Sequence, residues 1–174
     1  MTETTETREA IVARYASGIQ AVEDALAGLT KADLDRTRAT GKWSIRQIVH
    51  HIADAELLWE VAIKSALGNP GCLFDASWYI IGNGWAGPLR YDARPVDGAC
   101  ALFAAIRGQV LELLEHVPNP WDQYVRFHWA NPGEAHKWTV GEIVTWQSRH
   151  ALIHVEQILE TRAVHRMEEH PDRE

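Results

Sequence analysis

The chain predicts an all-α protein, a single four-helix-bundle domain over residues 1–174, on three observations. Four long stretches place apolar residues at i, i+3, i+4 and i+7, the spacing that lines one face of a helix. Two of these stretches stop at the proline-containing segments GNPG and VPNP, where a helix cannot continue. The second and the fourth open with the same capping signature. A hydrophobic content of 46% and a charged content of 24% suit one globular domain with its own core.

The first helix is expected from about Thr7 to Ala27, with Ile11, Tyr15, Ile19, Val22 and Leu26 on one face and Gly28 as its stop. LTKADL then reads as a short turn capped by Thr30. The second helix runs from about Ser44 to Leu67. From Gly68 to Pro95 the chain has no clear periodicity, yet Leu73, Phe74, Trp78, Tyr79, Ile80, Ile81, Trp85 and Tyr91 make it too apolar to stay solvated. It is therefore expected to pack across one end of the bundle. It serves there either as a plain cover over the core or, through Trp78 and Trp85, as the wall of a substrate pocket. The third helix spans about Val96 to His116, with Leu102, Phe103, Ile106, Val110, Leu113 and Leu114 as its stripe. Tyr124–Trp129 alternates weakly and meets the turn signal Asn131-Pro132-Gly133, which predicts a short hairpin, with a plain loop as the alternative. The fourth helix starts at Thr139 and reaches about Arg162, with room to extend into the charged tail.

The starts of the second and fourth helices are alike. Lys42-Trp43-Ser44-Ile45-Arg46-Gln47-Ile48-Val49 parallels Lys137-Trp138-Thr139-Val140-Gly141-Glu142-Ile143-Val144. Each carries a hydroxyl residue at the N-cap with Gln or Glu three positions later, a capping box. Each also has Trp before the cap and Ile at the fourth helical position, a hydrophobic staple. Two independent good caps explain the likeness; an internal duplication of a helix pair is the sharper reading.

Net charge is −7 without an offsetting Lys/Arg cluster, which disfavours nucleic acid and anionic membranes as partners. No apolar run reaches the roughly 18 residues of a membrane span, and the polar, acidic MTETTETREA has no secretory-signal character. The expected location is cytoplasmic. Cys72 and Cys100 fit neither a disulfide framework nor a ligand pair.

Function is concentrated in three histidines. His150 and His154 stand four apart, so they share a helix face one turn apart and can grip one ion. His51 lies on the second helix. The spacing alone is weak, since about half an HxxxH pair is expected by chance in a chain this rich in histidine. Facing adds to it. Ile143, Gln147, His150, His154 and Ile158 form one core stripe, and Ile48, His51, Ala55, Trp59 and Ala62 form another. Buried imidazoles without partners would each cost about 1–3 kcal/mol, a cost that metal binding removes. Three histidines leave coordination positions open, as enzyme sites do. The alternative is three core histidines, each bonded to a neighbour. Asp54, three residues after His51, is a candidate acceptor for a ligand imidazole or a general base, with a surface carboxylate as the plain alternative. Gln147 could bond a ligand imidazole or metal-bound water, or be satisfied elsewhere. His50 is expected to point sideways toward Asp54, and His165 and His170 into solvent.

GLTKADLDR, GKWSIRQIVHHIADAE and KWTVGEIVTWQSRHALIHVEQI together resemble the DinB/YfiT-like metalloenzyme superfamily, closest to its YfiT-like metal-dependent hydrolase branch. By that resemblance His51, the second histidine of its doublet, matches the first family ligand, and His150 and His154 match the other two. The segment from His128 is similar to the His-Pro-Glu turn of that branch but lacks Pro-Glu directly after the histidine. The WYIIGNGWAGP region also departs from the branch. The resemblance implies an up-down-down-up bundle, a homodimer and one divalent metal.

The reading favoured by the sequence is an enzyme acting on a small-molecule substrate. Zn²⁺ or Ni²⁺, or else Fe²⁺, suits three neutral nitrogens. Metal-bound water would serve hydrolysis. A low-molecular-weight thiol cosubstrate in its place would give a thiol S-transferase. A non-catalytic, stress-related metal-binding module is the remaining alternative.

Overall fold

Helix starts leave backbone N–H groups unpaired, and in four of the five α-helices among the described residues a hydroxyl side chain takes one up. The computed structural model describes residues 6–79, 84–129 and 135–169, with side chains through residue 166. Ile80, Ile81, the Asn131-Pro132-Gly133 turn and His170 lie outside the described residues. Helix α1 (Arg8–Leu26) is capped by Thr7, whose side chain accepts from Ala10 N. The expected turn after it is a one-turn helix, α2 (Lys31–Leu34), with a complete Thr30/Asp33 capping box. Helix α3 (Ile45–Gly68) starts at the Ser44/Gln47 box, both of whose bonds are made. Helix α4 (Asp97–His116) has no side-chain cap. Before α5 (Val140–Glu169), Glu142 accepts from Thr139 N at 2.8 Å and Thr139 Oγ1 accepts from Glu142 N at 3.2 Å. This last helix extends seven residues beyond the expected Arg162.

Inter-helix bonds give the directions. Arg14 Nε donates to Ser148 near the start of α5, and Arg162 donates to the Ala25 carbonyl near its end, so α1 and α5 run the same way. Arg46, at the start of α3, donates to the Arg94 carbonyl just ahead of α4. At the other end, the strands that follow α3 and α4 pair with each other, so those two helices also run together. Val22 and Ala25 near the end of α1 cluster with Ile45 and Ile48 at the start of α3, so the two pairs run in opposite senses and the order along the chain is up, down, down, up.

Those strands correct the all-α expectation. Strand β1 (Leu73–Asp75) pairs in parallel with β2 (Tyr124–His128), Phe74 opposite Phe127. Strand β2 pairs antiparallel with β3 (His136–Thr139), Val125 opposite Trp138. The hairpin was legible; β1 was not, because three residues carry no period and their partner lies some fifty positions away. Alternation holds on β2: Val125 and Phe127 are buried, while Arg126 is exposed. Both sit in a core cluster with Trp59, Ile143 and Val144, while Ile48, Ile52, Val155 and Ile158 belong to a second cluster. On α5 His150 falls where the first cluster gives way to the second, while His51 and His154 lie within the span of the second. Leu102, expected on the α4 stripe, is exposed. Among the described residues no helix is long and apolar enough to cross a membrane.

Candidate metal centre

The two capping boxes fix where α3 and α5 begin, and so which face each later residue occupies. On α3 that face carries His51; on α5 it carries His150 and His154. The three offer one ligand nitrogen each, all within 4.8 Å of one another. Nε2 of His150 and Nε2 of His154 are 3.1 Å apart. Two nitrogens bound at about 2.1 Å to one ion, at tetrahedral to octahedral angles, would stand roughly 3.0–3.4 Å apart. The His51 ring lies 5.3 Å from that of His150 and 4.8 Å from that of His154, centroid to centroid.

Protonation suits a metal site. Burial, followed by the neighbouring His154, holds His51 down at about 4. Burial also dominates at His150, with His154, His51 and Arg107 adding to it, and brings it to about 3. His154 is lowered by burial against the opposing effect of its hydrogen bond to Gln157. All three are therefore neutral N-donors at pH 7. His154 Nδ1 lies 3.2 Å from Gln157 Oε1. Donation of an Nδ1 proton there leaves Nε2 bare, toward the other two rings.

The histidines open onto a cavity of about 650 Å³. Ala55, Leu58 and Trp59 line it from α3, Trp43 and Trp138 from just ahead of the caps, Trp146 from α5, and Tyr79 and Trp129 from the connecting segments. Among the described residues, no Asp, Glu, Lys or Arg lines it. The tryptophan wall corrects the sequence expectation: the cap tryptophans serve the cavity, whereas Trp78 and Trp85 stack on each other outside it, Trp78 more than half exposed. Of the 68–95 segment, Tyr79 alone reaches it among the described residues.

The sequence model of the DinB superfamily matches residues 14–158, which span both caps and all three histidines. This chain belongs to the DinB superfamily. A Bacillus licheniformis relative, named a putative metal-dependent hydrolase, is 29% identical over 140 residues, 77% of this chain and 74% of the relative. A protein of Oceanobacillus iheyensis with the same description is 24% identical over 133 residues, 73% of this chain and 71% of its own length. The solved structure of YfiT from Bacillus subtilis, described as a probable metal-dependent hydrolase with an unusual four-helix bundle topology, matches with a TM-score of 0.77 at 18% identity. It covers 94% of this chain and 91% of YfiT, and establishes the shared fold.

Other candidates in this DinB protein fall away from the cavity. Asp54 accepts a hydrogen bond from the Tyr91 hydroxyl, which burial, followed by Asp54 itself, pushes well up. Gln147 is fully buried; its Nε2 lies 3.4 Å from the Ala55 carbonyl, and its Oε1 has no protein partner. His50 does not turn to Asp54: its Nε2 is 3.3 Å from the Arg94 carbonyl and its ring stacks on Tyr91. His165 is not free in solvent, its Nε2 lying 3.0 Å from the Thr37 carbonyl. His128 pairs with Asp75. Cys72 and Cys100 are both free thiols, and burial raises Cys100, which makes it a poor nucleophile.

One buried group escaped the sequence reading. Arg107 and Glu56 form an ion pair at 3.1 Å, 0% and 2% exposed, with the Tyr15 hydroxyl on the other carboxylate oxygen. Burial raises the Glu56 carboxyl, opposed by Arg107 and that hydroxyl. A signal existed. Glu56 lies four residues after Ile52 and three before Trp59, and Arg107 four after Phe103 and three before Val110, so both charges stand on apolar stripes.

Proposed function

We propose that this protein is a metal-dependent hydrolase whose small-molecule substrate has an uncharged, apolar part that lies against the tryptophan wall. One observation carries the reading: three imidazoles kept neutral by burial converge at a cavity of about 650 Å³. His51, His150 and His154 would hold a divalent ion, and their nitrogen-only donor set suits Zn²⁺ or Ni²⁺, with Fe²⁺ the third choice. Such an ion supplies Lewis acidity, making a water that it binds acidic enough to act as a nucleophile near neutral pH. The chain's own residues supply the rest. Gln157 fixes the His154 tautomer. Trp43 packs its ring against His51. The indoles exclude bulk water and give a flat, apolar surface on which a substrate can be oriented. Three neutral ligands leave the ion's charge uncancelled, so a cationic group beside it would be repelled. No Lys or Arg among the described lining residues offers an anion a partner. Asp54 acts through Tyr91 and Gln147 through Ala55, as supports of α3 and α5.

The test is a hydrolysis screen with Zn²⁺- or Ni²⁺-loaded protein. It compares neutral aryl esters and amides with matched carboxylate and trimethylammonium compounds, each with and without added thiol. The neutral compounds are expected to turn over, with kcat/KM falling at least about 100-fold in His51→Ala. Undiminished turnover in that variant removes the metal from the chemistry. A strict need for thiol would instead identify a transferase.

A further inference from the structure

We propose that Arg107 is a positioning residue for the three-histidine site, a single guanidinium that sets the register of α5 against α3. The consequence for metal binding rests on the metal reading above; the register claim does not. Arg107 belongs to α4 and is fully buried. Its NH1 donates to the Tyr15 carbonyl of α1 at 2.6 Å. Its NH2 donates to the Gln147 carbonyl of α5 at 2.7 Å and to Glu56 of α3 at 3.1 Å. All four long helices therefore meet at one cation, whose face is covered by the rings of Tyr15 and Phe103 at 4.2 and 4.6 Å.

Two of those attachments bracket the histidines. Glu56 is five residues after His51 and Gln147 is three before His150. Shifting α5 along its axis by one turn moves a ligand about 5.4 Å, more than twice a metal–nitrogen bond length of about 2.1 Å. Apolar packing tolerates small slides, because it is nondirectional. A guanidinium bonded to a carboxylate and two named carbonyls does not. A buried ion pair is in general poor at adding stability, and its best-attested use is to specify register. The space was made for it: a Cβ at Gly18 would stand 2.2 Å from Arg107 NH1.

The experiment compares wild type with Arg107→Met and Arg107→Lys. Val110→Ala, one turn along the same helix and fully buried, serves as an ordinary core lesion. Three quantities are read: Zn²⁺ affinity by chelator competition, the visible spectrum of the Co²⁺ form, and, without metal, ring-proton NOEs between His51 and His154. Arg107→Met is expected to weaken Zn²⁺ binding at least tenfold, alter the Co²⁺ spectrum and lose the NOEs, with partial rescue in Arg107→Lys. Val110→Ala should lower the unfolding midpoint and leave all three unchanged. Should Arg107→Met not fold, Glu56→Gln is read in its place, with the same changes expected in smaller measure. Wild-type affinity, spectrum and NOEs in the folded variant overturn the proposal. Intact NOEs in a wild type that binds no metal would sink the metal reading while leaving the register claim to be decided by the NOEs of the variants.

Discussion

The indole of Trp43 lies 4.6 Å, centroid to centroid, from the imidazole of His51 eight residues further along the chain. Trp43 immediately precedes the Ser44/Gln47 capping box, so the motif that starts α3 also holds the ring of a candidate ligand. It also faces His154 at 6.4 Å. Trp43→Ala is predicted to destabilise the fold by about 2 kcal/mol, below the full cost of a buried aromatic because Trp43 is only half-buried. It should weaken metal binding about tenfold, in the manner of a lost supporting contact. Trp43→Phe should keep most of both. Urea unfolding and chelator competition read the two effects, and unchanged metal affinity in Trp43→Ala would deny the ring a role at the site.

The two caps give an additivity prediction. Ser44→Ala and Thr139→Ala each remove one side-chain acceptor from a helix start and should each cost about 1 kcal/mol. They act at opposite ends of the bundle, so the double variant should lose about 2 kcal/mol, the sum of the two. A double variant no worse than either single one would show that the caps act through a common element.

Acid should act through the histidines. His51 at about 4 and His150 at about 3 titrate below the unfolded value near 6.5, so as pH falls the unfolded chain takes up protons first. Their contribution to the stability of the metal-free protein is thus fully present above about pH 6.5 and is lost as pH falls from there through about 4 to about 3. Protons and metal also compete for the same nitrogens, so acidification should release the ion. Urea midpoints between pH 7.5 and 4.5 provide the check, with His150→Ala expected to show a shallower decline. Parallel profiles for the two proteins would contradict a buried, neutral His150.

Two helical glycines should respond oppositely to alanine. At Gly18 the added methyl meets Arg107, and Gly18→Ala should cost about 3 kcal/mol as an overpacked core position. Gly108, on the exposed face of α4, has nothing within 4 Å of its would-be Cβ. Gly108→Ala should stabilise by about 0.5–1 kcal/mol, from helix propensity and a less disordered unfolded chain. Thermal melts of both variants settle the pair; a neutral Gly18→Ala would mean that Arg107 moves aside freely.

The helices and the histidine set were readable because their signals are local and periodic. Capping boxes announced α3 and α5, and counting from Ser44 and Thr139 placed His51, His150 and His154 on inward faces. What was not readable depends on contacts between distant segments. Strand β1 exists through its pairing with β2. Trp138 and Trp146 become cavity wall only once α5 lies beside α3, so the loop tryptophans Trp78 and Trp85 looked the better candidates. Arg107 and Glu56 were passed over because charge on a helix suggests solvent, although each interrupted an apolar stripe.

The central claim is that His51, His150 and His154 bind one ion together, and metal content tests it most directly. Wild type and the three single His→Ala variants would be loaded with Zn²⁺ or Ni²⁺, exchanged against metal-free buffer and subjected to elemental analysis, with circular dichroism confirming that each is folded. The account predicts close to one ion per wild-type chain and a large loss in every variant. Equal metal content in all four folded proteins would contradict it.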